Sequence, residues 1–461
     1  MTVTALLGLV ILNLLLLSSG AAILWFVRGW TTWVEFGRLA GVAYLLGVAS
    51  VGALWTLLLI AGVPFSLGVV LVVPAVIASV GVLGGRRLGR RRPEVGSLAT
   101  GPKLAVTAVG IAVTGLFLES AFRSARLAGL YSWDAWSFWV PKAKAIYFFG
   151  GLDEQFFTTL PGPSYPPLVP VLDAAAFHVM GSADVVTLHV QYWFFAVGFV
   201  SALAGLLSER VPAWILWPFV LLSLIAPRIG SRFHVPEADL LLDFLFVIAA
   251  LLVGYWLLDR QPWRLAVASV LLCGVVLTKR EGLLLVALLV VAALLANARQ
   301  LRTTWRPLAV AVVGIAAAAV TWRVWYLVHG VGGEGPSAGL DPSENAERLW
   351  PSVRLAVEVL FDSGYWGVIA PVAIGAVVLA GLARIGVHAV FFGTLIALVT
   401  LGGAWITWAI PELEITTELG GNPIVRYMGS AVLLCVVTSP VLLAATWSRV
   451  TGNEREEEPP R

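Results

Sequence analysis

Asp134 lies in the stretch Tyr131-Ser-Trp-Asp-Ala-Trp-Ser-Phe-Trp-Val-Pro, where Trp133, Trp136 and Trp139 recur every third residue. A carboxylate in such a setting has two readings. In one it starts a short helix, stabilised by the helix dipole and by water. In the other it is a general base, because partial shielding by aromatic rings moves a carboxyl pKa towards neutrality, where proton abstraction from a hydroxyl is most efficient.

If the reaction expels a phosphate, the site also needs fixed positive charge where the leaving group gathers its negative charge. Lys142, Lys144, Arg228, Arg232, Lys279, Arg280 and Arg426 are the candidates, and Lys279, Arg280, Lys142 and Arg232 are nominated as phosphate binders. Each has a plainer alternative, a cation that snorkels to the interface or sits in an internal salt bridge. Lys279-Arg280 is the strongest pair because it falls between two short apolar runs, although Glu281 next to it can neutralise one of the two.

A second acidic cluster comprises Glu237, Asp239 and Asp243. Asp239 and Asp243 are four apart and share a helix face. Acids within a membrane segment usually mark a functional pathway, while pairing with Arg228 or Arg232 explains them equally well. Asp239 is nominated as the second catalytic acid, to position an acceptor, share a proton with Asp134 or bind a cation. His178, His189 and His234 lie near the same face and, with the acids, make a divalent cation conceivable. No HxxxH or HExxH spacing supports it, so no metal ligand and no certain cofactor is assigned.

These residues must be positioned by elements whose solvent is lipid. The chain has 461 residues, 59% hydrophobic and 12% charged, with a mean hydropathy of +0.90. A soluble surface takes roughly a quarter charged residues. A spanning helix needs about 20 apolar residues. Runs that meet this or fall slightly short occupy 4–26, 39–62, 65–84, 103–121, 185–207, 211–226, 238–258, 264–278, 282–296, 307–328, 365–383, 387–410 and 427–447, giving an all-α membrane protein of about thirteen spans. The short pair 264–278 and 282–296 meets at Thr278-Lys-Arg-Glu281, as expected where spans stop beside a wet cavity.

Basic residues set the orientation. Arg86, Arg87, Arg90, Arg91, Arg92 and Lys103 place the third connection in the cytoplasm. Alternation from there gathers most Lys and Arg inside and most Asp and Glu outside, with the N-terminus outside and the C-terminus cytoplasmic. Segments 122–184, 329–364 and 411–426 then face outward. Cytoplasmic connections are short, and no GxxxxGK[ST] occurs, which argues against a nucleotide-driven pump. The net charge of +3 is too small to suggest nucleic acid. Cys273 and Cys435 sit in apolar runs and read as buried hydrophobes. The first apolar run, without a basic leader or cleavage site, reads as a retained helix.

Within 122–184 the tryptophans favour the headgroup level. Pro141 fits the first turn of a short surface helix and Gly150-Gly151 its end. A second begins at Pro166-Pro167 and ends at Gly181, with Leu168, Leu172 and Val179 on one face of an interfacial amphipathic helix.

This order resembles the membrane-embedded glycosyltransferases of the GT-C superfamily. It comprises Asp134 in a Trp-rich first outer loop, Tyr165-Pro-Pro-Leu168 running to Gly181-Ser-Ala-Asp184, Ala238-Asp239 opening a span, and Leu277-Thr-Lys-Arg-Glu-Gly282 closing another. The nearest type is family 39, with protein O-mannosyltransferases, lipid A aminoarabinose transferases and the bacterial RgtA/B/C/D-like group. The match covers roughly 103–300. It implies Asp134 as base, a second acid near Asp239 and a lipid-phosphate site built from basic residues. It also implies a polyprenyl-phosphate sugar donor, with inversion at the anomeric carbon. An Asp-Glu pair typical of the O-mannosyltransferases is missing at Asp134, which removes support for a protein acceptor within the range of glycan, lipid or protein. The corresponding division is an N-terminal three-helix addition at 1–102, a catalytic core at 103–306 with outer loop 122–184, C-terminal helices at 307–448 and a disordered cytoplasmic tail at 449–461. A transporter or lipid flippase of the cell envelope is the first rival reading, and a non-catalytic assembly protein the second. A carrier would show matching broken helices in both halves, whereas the sequence reveals one break, at 278–281.

Overall fold

The computed structural model describes residues 2–96, 102–331, 346–410 and 423–452. Parts of the expected outer segments 329–364 and 411–426, the Lys103 side chain and most of the expected tail lie outside these residues. Among the described residues every element is a helix, as a bilayer demands of a chain whose backbone must satisfy its own hydrogen bonds. The only extended pairing among those residues is an isolated parallel bridge between Thr32 and Glu94.

The helices are α1 (Val3–Val27), α2 (Trp33–Ile60), α3 (Leu67–Arg87), α4 (Pro102–Ala125), α5 (Val140–Phe149), α6 (Glu154–Thr159), α7 (Leu168–Met180), α8 (Val185–Leu207), α9 (Ala213–Ile225) and α10 (Pro227–Gly230). They continue with α11 (Ala238–Asp259), α12 (Pro262–Thr278), α13 (Glu281–Ala296), α14 (Leu301–Val328), α15 (Ala346–Leu360), α16 (Ser363–Trp366), α17 (Ile369–Leu382), α18 (Gly386–Ala409) and α19 (Pro423–Val450). All thirteen apolar runs fall on helices. Among the described residues nine helices are long and apolar enough to cross a membrane, or up to ten if the bent pair α15/α16–α17 counts as one span. The runs at α9, α12, α13 and α17 are shorter than a full crossing. Helix α19 runs to Val450, past the expected start of the tail.

The N-terminal helices pack closely against one another and against α8. An added Cβ on Gly20 would sit 1.7 Å from the Ala43 carbonyl oxygen, and one on Gly47 would sit 1.8 Å from that of Leu16. Helices α1 and α2 therefore meet backbone to backbone, the small-residue packing that joins helices in lipid. Gly205 of α8 abuts the Arg38 carbonyl of α2 in the same way, at 1.8 Å. One continuous apolar core links residues of the expected N-terminal, middle and C-terminal segments, which are parts of one packed body.

Helix α11 is apolar on every side and buried along its membrane window, so it forms the central post of the bundle. Helix α7 departs from expectation. Leu168, Leu172 and the opposite residues Pro170, Asp173 and Ala174 are all buried. It is an internal helix rather than an interfacial one, because nearly every position from Leu168 to Phe177 is apolar or small. The expected capping holds. Pro141 lies in the first turn of α5, and Gly150 and Gly181 end α5 and α7 at φ of 71° and 67°.

Candidate functional site

Four stretches far apart in sequence converge at one end of α11. These are the Trp-rich segment, the residues before α11, the α12–α13 break and the first turn of α19. Just before α5 the chain is wound more widely over Ala135–Trp139, with the Val140 N–H donating to the Ala135 carbonyl. Trp133 and Trp136 remain exposed, whereas Trp139 is fully buried and stacks on Tyr165 with ring centres 5.4 Å apart. Burial leaves the headgroup-level expectation open to Trp133 and Trp136 and removes Trp139 from it. Trp139 instead fastens the segment to the residues that open α7.

Asp134 makes no helix-capping bond. Its carboxylate is buried and accepts from Arg426 Nη2. Arg426 Nε also donates to Asp239 Oδ2, at 2.7 Å. The same oxygen accepts from Arg232 Nη2 at 2.8 Å, and Lys279 Nζ donates to Asp239 Oδ1 at 2.8 Å. Arg232 also pairs with Glu237, whose other oxygen takes the Ser132 hydroxyl proton in a hydrogen bond. Asp243, a turn deeper, accepts from the Ser430 hydroxyl.

Asp239 is therefore the hub of the network. A buried carboxylate is costly unless it is paired and hydrogen-bonded, and three cations meet this one. That geometry bears on two of the expected roles. Asp239 has no contact with Asp134 through which to share a proton; Arg426 stands between them. Lys279 is held by Asp239 and, at 3.3 Å, by Glu281. The extended backbone at Lys279 (φ −155°, ψ 157°) breaks the α12–α13 span and turns that ammonium inward.

Arg280 is different. It is exposed, its guanidinium lies 5.0 Å above the Tyr165 ring, and it has no ion-pair partner among the described residues. Arg228 lies 5.6 Å from the centre of the Tyr365 ring, and its buried Nε has no hydrogen-bond partner among the described residues. Burial and the neighbouring Arg232 depress its pKa. Burial also opposes the charge of Arg232, but Asp239 and Glu237 outweigh it and hold the guanidinium above its ordinary range.

Lys142 does not join this cluster. It is fully buried and donates from Nζ to the Gly162 carbonyl at 2.6 Å, between the rings of Phe138 and Phe157. Burial pushes its pKa down to about 7. It braces the loop before α7, apart from the charges gathered around Asp239. Lys144 is half-buried nearby. Among the described residues no three of His, Cys, Asp or Glu gather as metal donors. His178 packs against Phe65 and Tyr147, away from the centres of His189 and His234, whose rings are 6.3 Å apart.

Sequence reasoning ranked Arg426 as one cation among seven. Its importance comes from reaching both aspartates, and the only local sign was a single arginine where the last apolar run begins.

Among the described residues the fold is that of an all-helical, multi-pass membrane protein with a buried charged centre at one end of its central helix. No family model, curated protein or solved structure matches the chain.

Proposed function

We propose that this protein is a membrane glycosyltransferase of GT-C type that transfers a sugar from a polyprenyl-phosphate carrier to an acceptor hydroxyl at the non-cytoplasmic face of the cell membrane. The observation that carries the reading is the shared network. A carboxylate, Asp134, is tied through Arg426 to a fixed set of cations, with exposed Arg280 beside them.

In the proposed step the Asp134 carboxylate takes the acceptor hydroxyl proton as that oxygen forms a bond to the anomeric carbon. The bond from that carbon to the phosphate oxygen breaks, and the phosphate leaves with the electron pair, inverting the centre. Arg280, and Arg426 as it exchanges a carboxylate for the donor, receive the growing negative charge. Asp239 is the positioning residue that holds Arg232, Lys279 and Arg426 in place. Tyr165, stacked on Trp139 and beneath Arg280, links the base-bearing segment to the cationic break.

Lipid-linked sugars in cells lacking the protein provide the test. A polyprenyl-phosphate sugar should accumulate, and Asp134→Asn protein, folded in the membrane, should fail to clear it. Clearance at the native rate would overturn the assignment of the base.

The rival reading is a carrier. Besides the break at Lys279, the chain bends by 117° between Ala346–Trp366 and Ile369–Leu382, but both breaks lie in the C-terminal half and do not make the matched pair that a two-repeat carrier shows. A flippase lacking Asp134 would leave its lipid in the cytoplasmic leaflet. A transferase lacking it would leave the lipid in the opposite one.

A further inference from the structure

The opposite end of α11 opens on a different polar space. From Ala238 to Asp259 this 22-residue helix rises about 33 Å, enough to put its two ends at opposite faces of a bilayer. Beside Asp259 lies a cavity of about 1210 Å³, framed by the ends of α1 and α3 and the starts of α2 and α12. It is on the face that the arginine bias predicts to be cytoplasmic.

Arg28, Arg90, Arg91, Arg92 and Arg264 line it. Its carboxylates are largely occupied. Glu35 holds Arg28 at 2.6 Å, and Asp259 holds Arg210 and Arg264 at 3.1 and 3.0 Å. Glu94 is left against Arg90, Arg91 and Arg92. Arg91 and Arg92 are exposed and make no ion pair among the described residues. Among the described residues Arg90 donates only to the Phe26 and Val27 carbonyls, at 3.3 Å each, and its buried Nε has no acceptor. Buried Nη1 of Arg264 also lacks one among these residues. An unsatisfied buried donor is costly, and an anion's oxygens would satisfy both.

The cavity is also fixed in shape. Trp33 N–H donates to the Glu94 carbonyl at 2.8 Å and Glu94 N–H to the Thr31 carbonyl at 2.9 Å, stitching the arginine segment to the α1–α2 loop. Trp25, Trp30 and Trp263 stand in its wall, near the ends of α1, α2 and α12, and indole rings favour the headgroup level at span ends. Guanidinium groups match phosphate geometry better than any other side chain, and basic pockets between spans suit anionic headgroups.

We propose that this cavity is a binding site for a phosphate group, borne by an anionic membrane lipid or free in solution, separate from the Asp134 centre and independent of its chemistry. The full chain, purified in neutral detergent at 0.15 M salt, is titrated with short-chain phosphatidylglycerol, short-chain phosphatidylcholine and inorganic phosphate. Non-specific attraction is largely screened beyond about 8 Å at that salt. Saturable binding of phosphatidylglycerol but not phosphatidylcholine, uncompeted by phosphate, identifies a lipid headgroup. Saturable binding of inorganic phosphate identifies a soluble ligand. In either case Arg91→Gln/Arg92→Gln should weaken binding at least tenfold. Arg86→Gln/Arg87→Gln, which alters neighbouring charge outside the cavity, should leave it within twofold. Failure of both probes to saturate, or equal losses in the two double variants, overturns the site.

Discussion

Arg426 Nε reaches Asp239 Oδ2 at 2.7 Å, joining the first turn of the last helix to the first turn of the central one. This contact makes Asp239 depend on three cations from three stretches of chain, and removing any one should be felt at the others. Arg426→Gln leaves Asp134 without an ion-pair partner among the described residues. Breaking a buried pair costs on the order of 3 kcal/mol, and thermal unfolding in detergent should show a loss of that size. The double variant Arg426→Gln/Asp239→Asn should lose clearly less than the two single losses combined, because the groups share one network. Strict additivity would mean that the contact carries no coupling.

Arg280 has a different role, so its variants should behave differently. Exposed and stacked over Tyr165, it has no carboxylate among the described residues to leave stranded. Arg280→Gln should change the unfolding temperature little while weakening donor use by about ten- to a hundredfold, corresponding to a lost charge-assisted bond of roughly 1.5–3 kcal/mol. Steady-state rates against donor concentration would measure this. A large stability loss with unchanged kinetics would recast Arg280 as a structural cation.

The α1–α2 contact gives a prediction for packing. A Cβ at Gly47 would lie 1.8 Å from the Leu16 carbonyl oxygen, a backbone atom that cannot turn aside. Gly47→Ala should force the helices apart and cost about 1–3 kcal/mol, the usual range for overpacking. Gly115 of α4, with open space around its Cβ direction, should accept alanine with little change. Comparing the unfolding of the two variants tests whether the N-terminal helices belong to the core.

What the sequence disclosed and what it hid follow from how local each signal is. Lipid imposes its demand on every stretch of about 20 residues, so the apolar runs and the break at Thr278-Lys-Arg-Glu281 could be read directly. Pro141, Gly150 and Gly181 marked helix ends because their backbone preferences are their own. The network could not be read in this way. Arg426 lies 292 residues from Asp134, and nothing local says which of seven cations crosses that gap. Lys142 shows the converse. Its place beside the tryptophans suggested a ligand role, but helix geometry turns it towards Phe138, Phe157 and Gly162. Trp139 was counted with Trp133 and Trp136 on spacing alone, yet the turn of the chain buries it against Tyr165.

Lys142 also yields a prediction with a pH signature. Burial depresses its folded pKa from the ordinary 10.5 to about 7, so between those values the unfolded chain holds a proton that the folded chain lacks. Stability therefore rises with pH across that window. Below about pH 7 the folded protein carries the full penalty of a buried ammonium, offset only in part by the Gly162 carbonyl and the two rings. Lys142→Met keeps the volume and removes the charge. It should stabilise the protein at pH 6 by on the order of 1–3 kcal/mol, the usual scale for an incompletely compensated buried polar group. The advantage should shrink steadily towards pH 10, where the native lysine is neutral in the fold. Unfolding temperatures of both proteins at pH 6, 8 and 9.5 measure the difference. A gap independent of pH, or one that widens as pH rises, would show that Lys142 stays charged in its pocket and that Gly162 and the rings compensate it fully.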